Sequence, residues 1–106
     1  MKADILGTEY TITQNVDVFD DEKLEEAFAY CDWSTKEIVT CELGNDKMGI
    51  GNKDYFKKKN LRHEIVHAFL HESGLEEKYS QDEELVDWIA LQFPKMLKVF
   101  KEVKCL

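Results

Sequence analysis

The chain has 106 residues, of which 43% are hydrophobic and 34% charged, and its formal net charge is −8. This composition is typical of one globular domain over residues 1–106, and it argues against a disordered or a membrane protein. The acidic balance disfavours nucleic acid as the main partner. A local basic run, Lys57–Lys59 with Arg62, is interpreted as a solvated helix face rather than as a patch that steers substrate.

The cysteine pattern and the absence of targeting signals bear on the compartment. No stretch approaches the length of a transmembrane helix, and residues 1–5 lack the apolar run of a signal peptide. The three cysteines are odd in number and follow no CxxC spacing. They are Cys31, Cys41 and Cys105. Reduced thiols are expected in a chain without an export signal, so we predict a cytoplasmic protein.

The first half of the chain predicts strands around one helix. Residues 8–19 alternate apolar and polar side chains, which is typical of a half-buried strand. A helix is expected next, capped by an aspartate at position 20 or 21. Its apolar stripe recurs at helical spacing and consists of Leu24, Ala27, Phe28 and Cys31. Residues 36–43 predict a second strand, and the glycine-punctuated residues 48–51 predict either a short third strand or the rim of a cleft.

A long helix is expected from a cap at Asn52 to a stop at Gly74, and it carries the motif His63-Glu64-Ile65-Val66-His67. Histidines four residues apart share a helix face and can bind one tetrahedral metal ion. Glu64, about 100° further round, stands beside such a metal, where it can take a proton from bound water. This helix is apolar almost all round, so its polar groups need buried partners, which a metal supplies. The alternative is a pair of core histidines hydrogen-bonded to carboxylates.

A peptidase-type zinc needs a third protein ligand and an open position for water. On the helix predicted from Ser80, projection places Glu83 at the edge of the apolar stripe and Glu84 away from it. We therefore favour Glu83 as the third ligand and keep Glu84 as the alternative. Glu83 could instead form a capping box with Ser80. Asp87, one turn on, is interpreted either as the group that orients a ligating imidazole or as a solvated surface acid.

Several residues near the predicted centre have more than one interpretation. His71 is an accessory donor to the transition state, a ligand in place of the glutamate, or a solvated residue that favours the helix dipole. Pro94 is expected to end one helix or to begin another. The apolar side of the tail could then fold back and bring Cys105, or the terminal carboxylate of Leu106, to the open metal position. Packing of the tail away from the metal is the favoured alternative.

With these residues the chain resembles the gluzincins, zinc peptidases in which HExxH is followed by a glutamate on a later helix and an aspartate four residues on. More narrowly, residues 61–69 and 86–90 look like small HExxH proteins of phages and mobile elements. Those are similar to the minigluzincins and to peptidase domains that cleave phage-type repressors. The chain differs from metzincins at Leu70 and Ser73, where these carry glycine and histidine. No residue matches the downstream histidine of larger gluzincins.

The resemblance implies an α+β, zincin-like fold, in which a small antiparallel or mixed sheet packs on the HExxH helix and a glutamate-bearing helix. It implies a zinc metallopeptidase, with Zn²⁺ on His63, His67 and Glu83 and with Glu64 as general base for zinc-activated water. The implied partner is a polypeptide substrate such as a repressor-type protein, with neither nucleic acid nor membrane. Two alternatives stay open. One is a latent or inactive zinc-binding interaction module of phage or mobile-element origin, and the other is a metal-free structural domain.

Overall fold

The computed structural model describes residues 1–44, 51–75 and 82–106. These ranges form an α+β protein, as predicted, with one mixed four-stranded sheet and two long helices. The strands are β1 (Lys2–Ile5), β2 (Thr8–Val16), β3 (Ala29–Asp32) and β4 (Glu37–Cys41), and the helices are α1 (Lys53–Glu72) and α2 (Glu83–Glu102). Within the described ranges, neither helix is long and apolar enough to cross a bilayer.

The sheet has the strand order β1-β2-β4-β3. β2 and β4 run parallel at its centre, while β1 and β3 pair antiparallel at the two edges. β1 and β2 form a hairpin through Leu6 and Gly7, whose φ angles are 51° and 89°. Positive φ at both central residues is the hallmark of a type I′ turn, which glycine adopts freely and leucine does not. β1 was not predicted from the sequence, because a strand of 4 residues shows too little alternation.

The two faces of the sheet carry two separate apolar clusters. One cluster joins Ile12 of β2 and Ile38 of β4 to Ala68 of α1, all of them buried. Successive residues of a strand point to opposite faces, so Val39 lies on the other side, in a cluster with Leu24 and Cys41. α1 therefore covers one face of the sheet, and the segment between β2 and β3 covers the other. This packing holds the middle of α1 against the sheet.

The helix predicted after residue 20 is wrong. The structure has two short 3₁₀ turns there, Val18–Asp20 and Glu22–Leu24, followed by β3. The spacing of Leu24 and Cys31 fits a helix, yet Leu24 packs against β4 and Cys31 pairs with Ile38 in the sheet. Backbone hydrogen bonds to the next strand, β4, satisfy this segment, and the periodicity of the side chains does not reveal such bonds.

The predicted strands over 8–19 and 36–43 are confirmed as β2 and β4, although both are shorter than predicted. Both predicted boundaries of α1 are confirmed as well. The Asn52 side chain accepts a hydrogen bond from the backbone N–H of Tyr55, and Gly74 follows the helix at a φ of 83°. The strand or cleft rim predicted at 48–51 falls, except for Gly51, outside the described residues.

α2 differs from the prediction in the middle of its length. Asp82 caps it by accepting a hydrogen bond from the backbone N–H of Leu85, and the helix then continues through Pro94 to Glu102. Proline normally breaks a helix because it lacks an N–H and crowds the preceding turn. The expectation that Pro94 separates two helices is therefore wrong. A helix that continues through a proline needs a compensating contact.

Candidate metal centre

α1 brings His63 and His67 together on one face, as their spacing of four residues predicts. The two imidazole rings lie with their centroids 4.9 Å apart at an angle of 61°. Their side chains are only 14% and 17% exposed, because α2 packs beside this turn of α1. The pair thus forms a largely buried cluster of nitrogen atoms at the contact of the two helices.

Glu83, the first residue of α2, joins the two histidines. One of its carboxylate oxygens lies 2.8 Å from His63 Nε2, and the other lies 2.8 Å from His67 Nε2. The ligand atoms of these three residues are all within 4.8 Å of one another, so they could hold a metal ion. Glu84 is exposed and does not belong to this group. Glu83 directly follows the Asp82 cap, so it does not occupy the third helical position that a capping box with Ser80 requires.

The donor set fits zinc. Two imidazole nitrogens and one carboxylate oxygen are the ligands of peptidase-type zinc sites, with metal–ligand bonds of about 2.0–2.2 Å. Tetrahedral bonds of that length separate neighbouring ligand atoms by about 3.3 Å. The nitrogen–oxygen distances of 2.8 Å are shorter, so the group must open slightly to admit the ion. The Glu83 side chain is 67% exposed and therefore has the freedom to move.

Asp87 contacts the other side of the His63 ring. Its Oδ1 lies 3.1 Å from His63 Nδ1 and 3.2 Å from the Lys59 ammonium. Although burial alone would raise the pKa of Asp87, the hydrogen bonds from Lys59 and His63 lower it, so this carboxyl is ionised. An ionised carboxylate accepts the Nδ1 proton and leaves Nε2 available to a metal, which is the usual arrangement around a ligating histidine.

Glu64 lies next to His63 in the chain but outside the three-residue group, and it is only 9% exposed. Burial raises the pKa of its carboxyl to about 7. The charges of His63 and Lys59 partly oppose this rise, whereas the negative charge of Glu83 adds to it. A carboxyl that titrates near neutral pH can both accept and return a proton under ordinary conditions.

Among the described residues, neither His71 nor the C-terminal tail contributes to the group that could hold a metal ion. The His71 ring stacks on Trp33 with centroids 4.5 Å apart, and His71 does not belong to the three-residue group. Cys105 and Leu106 are exposed at the far end of α2. Because α2 is continuous, about 30 Å of helix separates them from Glu83. The less favoured alternative, in which the tail folds back over the metal, is therefore wrong, and the favoured one, a tail away from the metal, agrees with the structure.

Two basic residues beside the centre have a role that differs from the one predicted from the sequence. Lys59 and Arg62 belong to the basic run interpreted as a solvated helix face, but both contact α2. The Lys59 ammonium pairs with Asp87, and Arg62 Nε donates a hydrogen bond to the carbonyl oxygen of Ala90 at 2.7 Å. Lys59 lies one helical turn before His63 on the same face, and that spacing could have indicated its place beside the centre.

The fold and the site together define a small α+β protein with a group of two histidines and one glutamate that could hold a metal ion. Comparison of the chain with protein families, with curated proteins and with solved structures found no match. Function at this centre is therefore inferred from its own donor atoms and their surroundings.

Proposed function

We propose that this chain is a zinc-dependent metallopeptidase with a zincin-like fold, in which His63, His67 and Glu83 bind Zn²⁺. The observation that carries the proposal is the position of Glu83, whose two oxygens lie 2.8 Å from the Nε2 atoms of both histidines. This joins a residue at the start of α2 to the motif in the middle of α1. In the order HExxH, glutamate, aspartate that resembles gluzincins, the glutamate thus contacts both histidines and the aspartate contacts His63.

The residues around the centre have separable tasks. When bound, Zn²⁺ would lower the pKa of a coordinated water and polarise the carbonyl group of the scissile peptide bond. Glu64 accepts a proton from the attacking water and later returns it to the leaving amine. Asp87 holds the His63 ring through Nδ1, so that Nε2 keeps its direction. The exposure of Glu83 leaves the centre open to a polypeptide, and a repressor-type protein is the substrate that the resemblance suggests.

A second candidate function is a zinc-binding interaction module of phage or mobile-element origin that is latent or inactive as a peptidase. The chain has three histidines, and two of them are the proposed ligands. The third, His71, stacks on Trp33 and does not belong to the group that could hold the metal. No histidine is then left at the centre to donate a hydrogen bond to the transition state, and this favours weak catalysis or none.

Metal analysis combined with one substitution separates these functions. Purified wild-type protein should contain one zinc ion per chain and hydrolyse unfolded polypeptide substrates. Glu64→Gln should keep the zinc and the melting temperature and lose hydrolysis, since it removes the proton acceptor but no ligand. Glu84→Gln is the matched control and should keep both. Zinc binding without hydrolysis in the wild type would support the interaction module, and absence of zinc would contradict both functions.

We further propose that the protein works in the cytoplasm, without nucleic acid or membrane as a partner. None of its three cysteines, all within the described ranges, forms a disulfide. A reducing compartment maintains thiols in that state, whereas an oxidising one promotes their pairing. Fractionation of cells that express the natural chain tests this location, and recovery of oxidised, disulfide-linked protein from an extracellular fraction would contradict it.

A further inference from the structure

The interior of α2 contains a carbonyl group that the helix itself cannot satisfy. Pro94 has no backbone N–H, so the carbonyl of Ala90, four residues earlier, lacks its usual helical donor. Ala90 is 0% exposed, so water cannot replace that donor. Arg62 of α1 supplies it, since its Nε lies 2.7 Å from the Ala90 oxygen. A buried carbonyl without a partner is costly, and the contact with Arg62 accounts for the continuity of α2 through Pro94.

This hydrogen bond lies beside the candidate metal centre. Arg62 directly precedes His63 in α1, and Ala90 comes about one helical turn after Asp87 in α2. The contact between Asp87 and His63 Nδ1 is therefore the next contact along the same pair of helices. Glu83 reaches the histidines one turn further on, at the start of α2. These three contacts follow one another along the helix pair. Two of them involve His63, through Asp87 and Glu83, whereas the bond from Arg62 to Ala90 involves neither a proposed metal ligand nor Asp87.

We propose that Arg62 is a positioning residue for the metal centre. Arg62 donates the hydrogen bond that Pro94, which has no N–H, cannot donate. This contact fixes the position and rotation of α2 relative to α1, so that Asp87 and Glu83 reach the histidines. The effect on metal binding rests on the proposed zinc centre. Satisfaction of the Ala90 carbonyl does not depend on zinc, so the two parts can be tested separately.

The sign of the effect on zinc affinity separates positioning from electrostatics. Arg62→Met keeps the aliphatic stem and removes both the donor and the charge. Loss of a positive charge near a cation site strengthens metal binding on electrostatic grounds, whereas loss of positioning weakens it. Lys58→Met is the matched control, because it removes the same charge from the same helix at a side chain that is 68% exposed.

Zinc affinity is measured by competition with a chromophoric chelator. Arg62→Met should bind zinc about tenfold more weakly than wild type, which is the lower end of the range for residues that orient metal ligands. Lys58→Met should bind within about twofold of wild type or more tightly. Arg62→Lys keeps a donor on a flexible chain and should recover part of the loss. An Arg62→Met protein that binds zinc as tightly as Lys58→Met would overturn the positioning role.

The carbonyl is tested in the metal-free protein with a double-mutant cycle. Arg62→Met should lower the melting temperature by about 5 °C, because it leaves a buried carbonyl without a donor. Pro94→Ala restores a backbone donor to Ala90, so Arg62→Met in that background should cost less than half as much. Equal losses in both backgrounds would overturn the link between Arg62 and Pro94. Wild-type protein that binds no zinc would refute the metal centre and the positioning role, while the cycle would still decide the link.

Discussion

Replacement of Asp87 by asparagine tests how the centre holds His63. The substitution preserves the size of the side chain and removes the negative charge of the carboxylate, whose Oδ1 accepts hydrogen bonds from His63 and Lys59. An asparagine can also turn its NH₂ group toward Nδ1, which favours the tautomer with the proton on Nε2. In that tautomer Nε2 is no longer free to bind a metal, so zinc affinity should fall.

The magnitude follows from the exposure of the carboxylate. Partners that orient ligating histidines typically contribute 10–100-fold in metal affinity. The Asp87 side chain is 39% exposed, so solvent screens part of its interaction with the ring. The expected loss therefore lies at the lower end, about tenfold, or about 1.4 kcal/mol of binding free energy.

Zinc titration of the purified variant against a competing chelator measures this loss directly. Glu84→Gln is the control, because it removes a carboxylate charge of the same helix at an exposed position outside the metal group. Its affinity should stay within about twofold of wild type. The reasoning is refuted if Asp87→Asn binds zinc as tightly as wild type, or if both substitutions weaken binding equally. The second outcome would show that net charge matters and the contact with His63 does not.

Three further predictions concern separate features of the molecule. Glu83→Ala should weaken zinc binding far more than Glu84→Ala does, because only Glu83 contacts the histidines; equal losses in the chelator competition would contradict the ligand choice. Leu6→Asn should raise the free energy of unfolding by roughly 1 kcal/mol, since asparagine tolerates the φ of 51° and the leucine is 58% exposed; denaturant unfolding at unchanged m-value measures it. The exposed Cys105 should react with a thiol reagent at pH 8 much faster than Cys31, because burial raises the pKa of the Cys31 thiol to about 12. Mass spectrometry of partly modified protein identifies the site, and faster modification of Cys31 would contradict its burial.

The local parts of the structure were predictable from the sequence. α1 has its cap at Asn52 and its stop at Gly74, and both act within a few residues of the chain. The spacing of His63 and His67 places them on one face of any helix that forms there. The direction of Glu83 relative to Glu84 also followed from helical phase alone. It required no knowledge of the partner helix, because the apolar stripe of α2 must face the core.

The remaining features depend on partners that lie outside the segment itself. Residues 29–32 form β3 because β4 offers them backbone hydrogen bonds, and these outweigh the helical spacing of the side chains around them. α2 continues through Pro94 because Arg62, 32 positions earlier in the chain, donates to the carbonyl that the proline leaves without a donor. The sequence alone limited the metal ligands to a few candidates and assigned these to helix faces. Only the tertiary structure decided that they meet, because contacts between α1 and α2 set the distance from Glu83 to both histidines.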